Sequence, residues 1–118
     1  MNQLTIKNCT VVNEGNLSEK DVLIMDGRIE KIESSVEVEG DFIDAKGLYL
    51  LPGFIDDQVH FREPGLTEGG NIQSESIAAV VGGTTSFMDM PNVIPPTLNL
   101  ELWNQKNKIA EKVSLANY

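Results

Sequence analysis

The feature that most constrains this chain is a change of rhythm near Gly53. Before it, short β-prone stretches alternate with turn residues: Leu4, Ile6 and Val11-Val12, then Val22-Leu23-Ile24-Met25, Arg28-Ile29-Glu30-Lys31-Ile32, Phe42-Ile43-Asp44 and Leu48-Tyr49-Leu50-Leu51. Asp26-Gly27 between two of these runs predicts a tight hairpin, because a type I′ turn needs positive φ at both central residues. Ala45-Lys46-Gly47 reads as a second turn. After Gly53 the pattern becomes strand, helix, strand, helix. Phe54 to Phe61 reads as a strand running into a loop. Asn71 is placed to cap a helix bearing Ile72, Ala78, Ala79 and Val80, which Gly82-Gly83 would end. Thr84-Thr85-Ser86-Phe87-Met88 is the next strand. Pro91 and Pro95-Pro96 enforce a loop, and Thr97 is placed to cap a second helix with an apolar stripe of Leu98, Leu102, Ile109 and Val113. Residues 113–118 read as the start of another strand. The expected organisation is therefore N-terminal β strands over 1–53, followed by parallel α/β units over 54–118.

A closed (β/α)₈ barrel takes ~250 residues, and the 118 residues here hold about two of its eight units. A quarter barrel standing alone would leave sheet edges and apolar strand faces uncovered. Composition narrows the chemistry. The formal net charge is −9, so phosphate backbones are repelled and nucleic-acid binding is not expected. No apolar run reaches the ~20 residues of a membrane helix, and the N-terminus has no basic region followed by an apolar stretch. The expectation is a cytoplasmic protein with no membrane partner. The single Cys9 sits in an apolar stretch and reads as a buried small hydrophobe. Trp103 and the methionines read as core or packing residues.

The stretch from Pro52 to Gly65 carries the most chemical information. Strand periodicity places Gln58 and His60 on one side, with Arg62 continuing the row if the strand persists. Polar rows at the C-terminal ends of parallel strands are where barrel enzymes hold their chemistry. By residue type alone, a single histidine is a weak metal signal and an exposed arginine is the ordinary reading. A second histidine two residues before His60 would complete a chelating pair, but Gln58 stands there, and its neutral amide oxygen is a poor zinc ligand. No Gly-x-Gly-x-x-Gly or phosphate-loop lysine motif is present, so Gly82-Gly83 reads as a helix stop.

Two segments in order resemble the dihydroorotase branch of the amidohydrolases. The first is Pro52-Gly53-Phe54-Ile55-Asp56 with Val59-His60-Phe61-Arg62-Glu63-Pro64-Gly65-Leu66-Thr67. The second is Gly82-Gly83-Thr84-Thr85, then Met88-Asp89-Met90-Pro91-Asn92, then Pro95-Pro96-Thr97. The resemblance implies the N-terminal part of a TIM-barrel amidohydrolase preceded by strands of a small β-sandwich. It implies that His60 is the second histidine of a metal-binding pair, with Gln58 in the place of the first, and that Arg62 and Asn92 bind the substrate carboxylate. Asp56 would have at most a supporting role near the metal. Thr67-Glu68-Gly69-Gly70-Asn71 departs from the basic stretch common in the family.

The activity implied is the reversible interconversion of N-carbamoyl-L-aspartate and dihydroorotate in pyrimidine biosynthesis, with one or two zinc ions as cofactor. The proton-shuttle aspartate, a carboxylated lysine and two further histidines of that chemistry have no counterpart in residues 1–118, so the chain alone is expected to be inactive. Rival readings are a catalytically silent partner of aspartate transcarbamoylase, a hydantoinase- or allantoinase-type amidohydrolase, and a non-enzymatic α/β module. A homodimer is the family-implied assembly.

Overall fold

A computed structural model describes residues 2–118, which form two compact units divided between Pro52 and Gly53. The first is one five-stranded sheet. Strands β1 (Gln3–Asn13), β2 (Asn16–Met25) and β3 (Arg28–Glu33) run antiparallel in the order β3-β2-β1. β4 (Asp41–Asp44) and β5 (Tyr49–Leu50) follow one another along the other edge of β1, both parallel to it. The Asp26-Gly27 turn has φ of 48° and 77°, as a type I′ hairpin requires. Glu14-Gly15 makes the same turn between β1 and β2, with φ of 48° and 77°. Cys9, Val22 and Ala45 are buried together, with Ile6, Val11, Ile24 and Leu50 packed against them. Burial raises the Cys9 thiol pKa and so disfavours its reactive thiolate.

A bulge interrupts the β1–β2 ladder. Ile6 pairs with Val22 and Cys9 with Lys20, so Lys7 and Asn8 stand opposite Asp21 alone. Asn8 takes the left-handed conformation, φ 59°, and its freed N–H donates to Asp21 Oδ1 at 2.8 Å. Asp21 also accepts from Val36 N at 2.9 Å and pairs with Lys7 Nζ, which itself donates to Val36 O at 2.8 Å. One buried carboxylate thus fastens both the bulge and the segment that follows β3.

In the second unit, β6 (Phe54–Val59) and β7 (Thr84–Asp89) are parallel neighbours joined through α1 (Ile72–Val81), and α2 (Leu100–Val113) follows β7. Asn71 caps α1 by accepting from Ser74 N at 2.9 Å, and the Ser74 hydroxyl returns to the Asn71 backbone. Gly83, φ 91°, carries the chain out of the helix. The core joins Phe61, Ile72, Phe87, Ala110 and Ala116; the Phe61 and Phe87 rings are 4.5 Å apart and tilted by 46°. Asn117 forms a parallel bridge with Ser86, on the opposite side of β7 from β6. The unit is the opening of a parallel α/β sheet with no closed barrel.

Four expectations are corrected. Asn99, not Thr97, caps the second helix: Asn99 Oδ1 accepts from Leu102 N at 2.9 Å, while Thr97 N is tied back to Pro91 O at 3.0 Å in the preceding loop. Leu98 therefore lies before the helix and is 78% exposed. Trp103 is not a core residue, at 54% exposure, and Met88 is likewise exposed. Residues 113–118 do not form a strand as a whole, because Val113 still belongs to α2 and only Asn117 makes a bridge. On α1 the fully buried positions are Ile72 and Ser76, whereas Ala78 faces solvent. Ser76 is covered because its hydroxyl accepts from Leu115 N at 3.0 Å.

Candidate active-site rim

The two loops at the C-terminal ends of β6 and β7 are stitched together by backbone and side chain. Met90 N donates to Val59 O at 2.9 Å and Ile94 N to Pro64 O at 3.1 Å. Phe61 N donates to Asp89 Oδ1 at 3.0 Å. The other Asp89 oxygen lies 2.8 Å from Lys106 Nζ, with only 6% and 9% of the two side chains exposed, and Lys106 also donates to Met90 O at 3.0 Å. Asp89 thus locks the start of the first loop and the N-terminal half of α2 to the end of β7. Glu63 reaches the opposite way, accepting from Ile72 N at 2.9 Å at the first turn of α1. A carboxylate there also meets the positive end of the helix dipole.

The Pro64-Gly65 pair lets the loops meet. Gly65 has φ 85°, and a Cβ at this position would lie 2.2 Å from the Ile94 carbonyl oxygen. No side chain fits such an approach, and the left-handed conformation adds to the cost. Gly65→Ala is expected to lose about 2 kcal/mol of stability and to loosen the contact with Ile94. Urea denaturation followed by Trp103 fluorescence would measure the first, and amide exchange at Ile94 the second.

On this frame His60 and Asn92 come together, His60 Nδ1 lying 2.9 Å from Asn92 Oδ1, and both side chains are exposed. The continuous polar row Gln58–His60–Arg62 is not formed. β6 ends at Val59, and its pairing with β7 shifts between Asp56 and Val59, so that Gln58 falls in a bulge with its N–H bonded to Asp56 Oδ1 at 3.1 Å. Arg62 has φ 64°, outside any strand conformation. A bulge followed by a left-handed residue re-aims side chains at a strand end, a device common beside active sites. Arg62 is half-buried, and among the described residues its guanidinium makes no side-chain hydrogen bond or ion pair. Asp56 is exposed and serves the backbone of the bulge.

Among the described residues no group of three His, Cys, Asp or Glu side chains could hold a metal ion. One imidazole with an amide at Gln58 does not fit a catalytic zinc, which takes three protein ligands. The Asp89–Lys106 pair and the Gly65–Ile94 contact are not evident from motif reading, although Asp89 lies inside the second motif. A shallow cavity of about 320 Å³ beside β7 and α2 is lined by Phe87, Met88, Trp103, Lys106, Ala110 and Tyr118, and does not include His60, Arg62 or Asn92. No helix among the described residues is long and apolar enough to cross a membrane.

No protein-family model matches the chain. Individual proteins do. The dihydroorotase of Methanosarcina acetivorans is 39% identical over 120 residues, covering 100% of this chain and 26% of its own length. The allantoinase of Solibacter usitatus is 37% identical over 119 residues, again 100% of this chain and 26% of that protein. Among solved structures, the L-hydantoinase (dihydropyrimidinase) of Arthrobacter aurescens superposes with a TM-score of 0.83 at 34% identity, covering 89% of this chain and 24% of that one. The chain thus spans about a quarter of the length of the relatives it matches. In sequence and in fold the chain corresponds to the N-terminal part of an amidohydrolase-superfamily protein.

Proposed function

We propose that this chain forms the first part of a dihydroorotase-type cyclic amidohydrolase, contributing the rim that grips the carboxylate of dihydroorotate or N-carbamoyl-L-aspartate. Arg62 and Asn92 supply the grip, and His60 stands beside the reacting ring. Residues 1–53 supply strands of the family's small β-sandwich, and residues 54–118 the first units of its barrel. The observation that carries the reading is the meeting of the two motif loops, which brings His60 to Asn92 at 2.9 Å, with the half-buried Arg62 two residues further on making no side-chain hydrogen bond or ion pair among the described residues. A guanidinium in that position can take a carboxylate through two parallel hydrogen bonds, and the Asn92 amide can add a third.

Zinc chemistry of the family kind needs ligands that this chain lacks, and His60 would be its one contribution. Accordingly the 118-residue chain is expected not to hydrolyse dihydroorotate. In a protein of the relatives' full length carrying this segment, Arg62→Met should lower kcat/KM for dihydroorotate by about 100-fold, the range for truncating one partner of a hydrogen-bonded charge pair. Hydantoin or allantoin turned over in preference to dihydroorotate, with Arg62→Met having no effect, would overturn the assignment. Cytoplasmic location and a soluble small-molecule substrate follow from the same reading.

Gln58 favours a second reading, a dihydroorotase-like chain that supports an active partner such as aspartate transcarbamoylase without catalysing. Arg62 and Asn92, which match the family's carboxylate-binding residues, argue against it, since a silent chain has no use for a carboxylate clamp. Metal content and activity of the full-length protein with and without Gln58→His distinguish the two.

A further inference from the structure

The N-terminal sheet runs in the order β3-β2-β1-β4, so among the described residues β3 forms an edge. Its six residues, Arg28-Ile29-Glu30-Lys31-Ile32-Glu33, are all exposed, Ile29 by 65% and Ile32 by 49%. An edge strand presents a row of unpaired N–H and C=O groups that another strand can take up, and charged side chains usually guard it. In β3 the order of those charges is self-complementary. Set antiparallel to a second copy of itself, with a two-fold axis between Glu30 and Lys31, Arg28 meets Glu33, Ile29 meets Ile32 and Glu30 meets Lys31. Every charge then faces its opposite. The strand is neutral within a chain of net charge −9, so repulsion between copies is weakest here. The two ion pairs among the described residues, Lys7–Asp21 and Lys106–Asp89, use none of these side chains. β4, on the opposite side of the sheet, fails the same test, because antiparallel self-pairing of Asp41-Phe42-Ile43-Asp44 sets Asp41 against Asp44.

The register of β3 on β2 decides which side chains share a face. Ile29 stands opposite Ile24 and Ile32 opposite Val22, because the pairing shifts between Leu23 and Ile24 and leaves Glu30 unmatched. In a regular strand, two isoleucines three residues apart would point to opposite faces. The bulge puts both on the face of Val22 and Ile24, while Arg28, Lys31 and Glu33 stand opposite Met25, Leu23 and Asp21 on the other.

We propose that the β3 edge is a docking surface for a second copy of this chain, the two β3 strands pairing antiparallel about a two-fold axis so that two five-stranded sheets become one of ten. Such an interface is isologous, each contact occurring twice. Ile29 and Ile32 carry the apolar row of one sheet into the next, and the charge pairs on the other face fix the register. Charges that turn away a foreign strand accept this one, which makes the edge selective. The pairing is independent of the chemistry at the rim.

Sedimentation of the 118-residue chain is expected to show a concentration-dependent monomer–dimer equilibrium, and amide exchange in residues 28–33 should slow as the concentration rises. Glu30→Lys sets lysine against lysine across the axis, and Lys31→Glu sets glutamate against glutamate. Each is expected to weaken the dimer by about 30-fold, since two cross-strand pairs turn from attraction to repulsion. Mixing the two variants in equal amounts restores opposite charges at both pairs and should give a heterodimer as tight as the parent dimer. Circular dichroism spectra and urea midpoints that match the parent show that the variants fold. A parent chain that stays monomeric up to about 1 mM, a very weak affinity, overturns the proposal without any variant, as does exchange in residues 28–33 that ignores concentration. Variants that associate as tightly as the parent would place the contact on another surface and overturn it too. So would a mixture no tighter than either variant alone.

Discussion

Asp89→Ala is expected to lower the stability of the 53–118 unit by about 3–5 kcal/mol, the cost of leaving one partner of a buried ion pair unpaired. The Lys106 ammonium would be stranded with 9% of its side chain exposed, holding only the Met90 carbonyl. Phe61 N–H would lose its acceptor at the point where β6 gives way to the His60 loop. The ion pair and the backbone bond fail together because the same carboxylate makes both. Urea titration followed by Trp103 fluorescence, the chain's one tryptophan, would report the loss. The double substitution Asp89→Leu with Lys106→Met removes both charges and should be less destabilised than Asp89→Ala alone. Equal destabilisation would mean that the hydrogen bond to Phe61, and not the stranded charge, dominates. A loss of under about 1 kcal/mol in Asp89→Ala would show that water reaches Lys106 and that the pair is not buried in solution.

The second large effect lies in the N-terminal sheet. Asp21→Asn is expected to cost about 3 kcal/mol, because the amide cannot match the charge on Lys7 and has one acceptor oxygen where the carboxylate uses two. Asp21 Oδ1 takes Asn8 N–H in the bulge and Oδ2 takes Val36 N–H and Lys7. The hydrogen bond from Lys7, then that from Asn8 N–H, hold the Asp21 pKa down to about 2 from an ordinary 3.8, against the opposing pull of burial. A lowered folded-state pKa means that the unfolded chain binds a proton first as acid is added. The stabilisation is therefore fully present above pH 3.8 and is lost as pH falls through about 2. Amide exchange in β1 and β2, compared with β7 as an internal reference, should show protection falling across that interval. Asp21→Asn should start lower and lose most of the slope. Asp44 shifts in the same direction, through its bond from the Asn8 side chain, so an Asp44→Asn control separates the two carboxylates. If Asp21→Asn retains the parental acid sensitivity, the Asp21 hub is not the source of it.

Where the sequence could be read, the signal was local chemistry. Asp26-Gly27 announced its hairpin because the two residue types best suited to positive φ stood side by side between apolar runs. Glu14-Gly15 forms the same turn and gave a weaker signal, since glutamate lacks the preference for left-handed backbone that aspartate and asparagine have. Asn71 was legible as a cap, while its reciprocal bond with Ser74 emerged only in the structure. Asn99 was obscured by Thr97, another capping type closer to the prolines, and only the bond from Thr97 N to Pro91 O shows why the helix starts later.

What the amino-acid order determined by itself is the change from hairpin rhythm to strand–helix alternation, the turn and cap chemistry at particular residues, and the motifs that carry the family resemblance. These are properties of neighbours within a few positions, and backbone sterics and hydrogen bonding act on them before any packing. What the tertiary structure decided is the bulge that breaks the row of Gln58, His60 and Arg62, the pairing of His60 with Asn92, and the choice of Asp21 and Asp89, among 18 acidic residues, as buried hubs. Each depends on groups that meet across strands or loops far apart in the chain, and no local pattern records which carboxylate will find itself out of water with a cation beside it.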